Sequence, residues 1–72
     1  MNDYWKEIDG MLFNMSKYDK VQGDVTAHGK TYLSMVHDNG TEVRIAMSKE
    51  DIDRTINKIR SGKWVGKVKE KL

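Results

Sequence analysis

The stretch Val25-Thr26-Ala27-His28-Gly29-Lys30-Thr31-Tyr32-Leu33-Ser34-Met35-Val36-His37-Asp38-Asn39-Gly40-Thr41-Glu42-Val43-Arg44-Ile45-Ala46-Met47 decides the fold. Two turn signals, at residues 28–31 and 38–41, bracket a middle run rich in β-formers. Asn-Gly favours a two-residue type I′ hairpin, because both central residues must take positive φ. A two-residue loop at Asn39-Gly40 predicts Val36 opposite Val43, Ser34 opposite Ile45 and Tyr32 opposite Met47. A similar loop at Gly29-Lys30 predicts Ala27 opposite Tyr32, Val25 opposite Ser34 and Gly23 opposite Val36. Both registers put Tyr32, Ser34 and Val36 on the predicted core face with Val25, Ala27, Val43, Ile45 and Met47. The opposite face is mostly polar but for Leu33 and Met35, an apolar pair that is either covered by the C-terminal tail, left as ordinary exposed apolar surface, or used as a docking patch.

Outward from this meander, the apolar residues Tyr4, Trp5, Ile8, Met11, Leu12 and Met15 recur at spacings of three and four. That stripe predicts an amphipathic helix over residues 3–18, capped by Asn2 or Asp3 and weakened at Gly10. A second helix is predicted after Ser48, its cap, with Glu50 and Asp51 at the positive end of its dipole, an Ile52, Ile56, Ile59 seam, and a stop at Gly62. The expectation is one small α+β domain over residues 1–72: a three-stranded antiparallel meander with two helices on one face, in the order α-β-β-β-α. In the tail, residues 63–72, Trp64, Val68 and Leu72 are spaced by four, as a short helix needs, while Gly66 argues for irregular structure.

The 72 residues suffice for one domain with a small core. There is no cysteine, which excludes disulfides and Cys-based zinc sites and fits a cytoplasmic protein. No apolar run approaches the ~20 residues that span a bilayer. The formal net charge of +2 hides an asymmetry. Residues 1–53 hold six basic and ten acidic side chains, a net of −4, and residues 54–72 hold seven basic and one acidic, a net of +6.

No metal or catalytic signature is present. His28 and His37 sit at opposite ends of the middle strand, roughly 20 Å apart at ~3.3 Å per residue, and cannot share a metal. There is no His-Glu-x-x-His helix, Gly-rich phosphate loop or nucleophile elbow. The sequence therefore points away from enzymes and cofactors and toward binding.

The order α-β-β-β-α resembles the double-stranded RNA-binding domain, whose second helix grips phosphates with lysines. The matching stretch here carries Glu50, Asp51 and Asp53, which would repel an RNA backbone. Residues 36–64 resemble small phage-encoded anti-CRISPR proteins that inhibit a nuclease by docking on it. The likeness is carried by Val36, the turn Asp38-Asn39-Gly40, Glu42, the strand Val43 to Met47, the capped helix with Ile52 and Ile56, and Trp64 after Gly62. This resemblance implies a phage or mobile-element product that blocks a bacterial host or defence protein. The residues expected to bind that protein are Leu33, Met35, His37, Arg44 and Trp64. The alternative is a nucleic-acid-binding accessory protein that sets Arg54, Lys58, Arg60, Lys63, Lys67, Lys69 and Lys71 against phosphates of DNA or RNA. A third expectation is a homodimer joined across Leu33 and Met35.

Overall fold

A computed structural model of the chain describes residues 3–62 and 64–70. Among these residues its class is α+β, with one α-helix and two sheets. The expected N-terminal helix is instead a hairpin, strands β1 (Trp5–Ile8) and β2 (Met11–Asn14), followed by a 3₁₀ turn over Met15–Lys17. Asp9 and Gly10 both take positive φ, 53° and 79°, as a two-residue type I′ loop demands, and Ile8 pairs directly with Met11. An Asp-Gly pair in mid-stripe thus outweighed helical spacing. The stripe itself does not form one buried face: Ile8 and Met15 are buried, whereas Trp5, Met11 and Leu12 are exposed.

The main sheet has four strands in the order β5-β4-β3-β6, where β3 is Tyr18–Val25, β4 Thr31–His37, β5 Glu42–Ala46 and β6 Lys67–Glu70. The predicted meander is its antiparallel part, and β6 adds a parallel edge. The single helix α1 (Lys49–Arg60) begins at Ser48, whose hydroxyl accepts from the Asp51 N–H at 3.2 Å. It buries the predicted seam Ile52, Ile56 and Ile59. Because β5 runs in the direction of β3, the return through α1 brings β6 in parallel to both, the crossover that parallel pairing requires. Within the tail, expected as a short helix or irregular segment, residues Lys67–Glu70 are therefore a strand. Its Trp64 donates from the indole N–H to the Tyr18 carbonyl at 2.9 Å. Gly66 is the seat of that indole, since a Cβ there would collide with Cζ2 and Cε2 of Trp64. Lys63, Lys71 and Leu72, and Asn2 as a cap, lie outside the described residues.

Both meander registers differ from expectation. Each loop holds three residues, Ala27-His28-Gly29 and Asp38-Asn39-Gly40, closed by hydrogen bonds from the Thr26 N–H to the Lys30 carbonyl and from the His37 N–H to the Thr41 carbonyl. Only the third residue of each takes positive φ, Gly29 at 82° and Gly40 at 90°. This is the type I turn with a glycine bulge, and Asn39 does not need the left-handed conformation there. Leu33 consequently pairs with Gly23 and Ile45, and Met35 with Val21 and Val43. Against the two-residue loops, one register moves by one residue and the other by three. An odd shift turns a strand over. The expected docking patch Leu33 and Met35 therefore faces α1 and is fully buried with Val21, Ile45 and the three helical isoleucines. The same burial leaves no exposed Leu33 or Met35 surface to pair across a two-fold axis.

Leu33→Ser or Met35→Ser should each destabilise the fold by about 3 kcal/mol or more, since truncating a buried Leu or Met costs about 2–5 kcal/mol and the new hydroxyl adds desolvation. Urea denaturation reads this directly. An unchanged midpoint for either variant would contradict the inward register.

Candidate functional site

Once Leu33 and Met35 point inward, the other face of the sheet is defined by the remaining parity. It carries Lys20, Gln22 and Asp24 from β3, Tyr32, Ser34 and Val36 from β4, Glu42, Arg44 and Ala46 from β5, and Lys67 and Lys69 from β6. Direct pairing lines these up across the strands. One row reads Arg44, Ser34, Gln22, Lys69, the next Glu42, Val36, Lys20, Lys67, and a third Ala46, Tyr32, Asp24. Glu42, Arg44, Ala46, Lys67 and Lys69 are exposed, so this face is open to solvent.

The β4–β5 half is a linked polar cluster. The Ser34 hydroxyl, 1% exposed, donates to Glu42 Oε2 at 2.5 Å. That same oxygen lies 3.3 Å from Arg44 Nε, and the guanidinium carbon sits 5.1 Å from the centre of the Tyr32 ring. The Ser34 hydrogen bond, then the Arg44 hydrogen bond, hold the Glu42 carboxyl below its ordinary value, and the same contact raises the Arg44 pKa. The Tyr32 phenol is pushed up, first by burial and further by hydrogen bonding with Asp24, against the opposing pull of Arg44. Gln22 Nε2 donates to Asp24 Oδ2 at 3.2 Å, while Gln22 Oε1 is a buried acceptor with no partner among the described residues.

The five residues expected to bind a protein are dispersed. Leu33 and Met35 are core. His37 shares their side of β4, sits at its end edge-on to Tyr18 with ring centres 5.1 Å apart, and has its Nδ1 2.8 Å from Asp38 Oδ1. Trp64 is docked at the sheet margin. Arg44 alone stands on the open face. The expected basic cluster is divided as well: Arg54 pairs with Asp51 on α1 at 3.0 Å, and Lys58 faces a shallow groove between α1 and the N-terminal hairpin. Lys67 and Lys69 reach the open sheet face instead. The sequence reading missed Lys20, Gln22, Tyr32 and Ser34. The alternation of β4 itself was the available signal, since Leu33 and Met35 are apolar where Ser34 is not.

Among the described residues no group of three or more His, Asp or Glu is placed to hold a metal ion, and no helix is long and apolar enough to cross a membrane. No protein family, curated protein or solved structure matches the chain.

A depressed Glu42 pKa contributes stability that is present above the unfolded value of about 4.5 and lost as pH falls through the lower folded value. Glu42→Gln and Ser34→Ala should each flatten the acid limb of the stability–pH curve below about 4.5, whereas the wild-type chain loses stability there. Urea midpoints measured from pH 7 down to about pH 3 read the effect, and an acid limb unchanged in both variants would show the contact to be energetically silent.

Proposed function

We propose that this protein is a non-enzymatic binder that docks on a partner protein through the β4–β5 half of its open sheet face. A phage or mobile-element product that inhibits a bacterial host or defence protein by direct docking would work in this way. The observation that carries the reading is the Tyr32–Arg44 pair held by Glu42, Ser34 and Asp24. Tyr and Arg are the side chains most enriched at binding hot spots, and their cost of ordering falls when neighbours hold them in place beforehand. The carboxylates of Asp24 and Glu42 on the same patch suit a protein surface with its own donors and cations, not a phosphate backbone. Arg44 supplies the charge and Tyr32 the buried area that Leu33 and Met35 cannot.

Immobilised chain incubated with bacterial lysate should retain a partner that Tyr32→Ala and Arg44→Ala each retain at least about tenfold less well, in line with hot-spot losses of about 2 kcal/mol. The thermal midpoint of Arg44→Ala should stay near that of the wild type, because exposed substitutions usually move stability by about 0.5 kcal/mol or less. Equal retention by wild type and both variants would exclude this patch as the docking site.

A further inference from the structure

We propose that the margin of the sheet where β6 joins β3 binds single-stranded nucleic acid, with phosphates on Lys20, Lys67 and Lys69 and bases in the adjoining aromatic groove. This site is distinct from the Tyr32–Arg44 patch and does not rest on the docking reading.

Lys20 and Lys67 are direct partners across the parallel β3–β6 pair, and Lys69 lies two residues along the same face. Neighbouring strands stand about 4.8 Å apart, so two ammonium stems rise side by side. Like charges directly opposed destabilise a sheet. None of the ion pairs among the described residues involves these three lysines. Lysine on an edge strand guards against edge-to-edge aggregation, which would account for Lys67 and Lys69. It does not account for Lys20, on a strand paired on both sides by β4 and β6. A polyanion laid along β6 turns the mutual repulsion of all three into attraction.

Beside these lysines a groove of about 760 Å³ opens, lined by Tyr4, Tyr18 and Trp64 together with Lys20 and Lys67. Trp64 is held by its indole hydrogen bond and by Gly66 beneath it, yet stays half-buried at the groove wall. Aromatic walls accept the flat faces of unpaired bases whatever their sequence. Asp3 and Asp19 also line the groove, and their carboxylates accept from the amino groups of bases while repelling phosphates. In the next row of the sheet, outside the groove, the nine-tenths-buried Gln22 has an Oε1 with no hydrogen-bond partner among the described residues, and its strand neighbour is Lys69. A groove lined by aromatic rings, acceptors and lysines together suits a strand whose bases meet the rings and whose phosphates meet the lysines. A duplex, with its bases paired and stacked, cannot offer them.

The test uses the full chain carrying Trp5→Phe, which leaves Trp64 as its only tryptophan. Its fluorescence is titrated with cytidine strands of about twelve nucleotides, DNA and RNA in separate arms, and with a duplex of about twelve base pairs, at roughly 50 and 200 mM salt. Three phosphate contacts give a salt slope of about −2 on single strands, so the fourfold rise in salt should weaken binding about 20-fold. Lys67→Gln with Lys69→Gln leaves one contact, and the same rise should then weaken it only about threefold. Lys49→Gln, on α1 and paired there with Asp53, should leave the slope unchanged. Circular dichroism melts confirm that each variant is folded. Quenching of Trp64 by either single strand with this pattern supports the site, and the tighter arm assigns DNA or RNA. The proposal is overturned by no binding at low salt, by equal binding of the duplex, or by a slope that the double lysine variant leaves intact.

Discussion

How many residues each hairpin loop holds is the constraint on which the rest of this structure depends. Gly29 and Gly40 each occupy the third loop position with positive φ, and that single conformation sets which residues of β4 stand opposite β3 and β5. With three-residue loops Leu33 and Met35 meet Ile52, Ile56 and Ile59 across the layer, and each buried side chain contributes about 1.5–3 kcal/mol relative to exposure. With two-residue loops the same strand would offer Tyr32 and Ser34 to the helix and leave a polar core. The alternation of the pleat allows no intermediate.

Aromatic rings set on glycines fasten the N-terminal hairpin to α1 and the start of β6 to the sheet. Tyr4 reaches the end of α1, where its hydroxyl lies 3.4 Å from the Lys58 carbonyl and against Gly62, so that a Cβ at Gly62 would strike the ring. Trp64 does the same at Gly66 and fastens the start of β6 to Tyr18. Neither glycine has positive φ; both are required for close approach. The Met15 N–H donates to the Tyr4 carbonyl, extending the hairpin pairing by one step and bringing Met15 into the core. Among the described residues, a small core of nine buried apolar side chains is thereby closed at both ends by half-buried aromatics instead of by further aliphatic layers.

The capped helix was legible because its cap, charge bias, isoleucine seam and stop agree with one another, and all are local. The parity of β3 and of β5 was legible too: Val43 and Ile45 reach the core, and Val25 shares their side of the sheet although it is exposed at the strand end. Only β4 was inverted. The two odd register errors each turned β4 over relative to a neighbour and cancelled between β3 and β5, so their agreement carried no information about the loops. Its own alternation, Leu33 and Met35 against Ser34, held the right answer. The N-terminal hairpin was hidden because Tyr4, Ile8, Met11 and Met15 satisfy a helical period and a hairpin equally well, and Asp9-Gly10 was the deciding signal. The pairing of β6 with β3 was beyond local reading, since residues 67–70 find residues 20–23 only after the intervening strands and helix are in place.

That late pairing is also what redistributes the charge. Along the chain the basic residues crowd into the last nineteen positions, and a linear reading treats them as one cluster. In space α1 and β6 lie on different layers, so Arg54 is spent on Asp51 while Lys67 and Lys69 are carried to the far side of the sheet beside Lys20. On that face the β4–β5 half pairs Arg44 with Glu42, and the β3–β6 margin holds three lysines outside the ion pairs of the described residues. Interactions between exposed charges fade over about 8 Å at physiological salt, and four strands spaced at about 4.8 Å span more than that. The two halves of one small sheet thus present separate electrostatic surfaces to whatever approaches them.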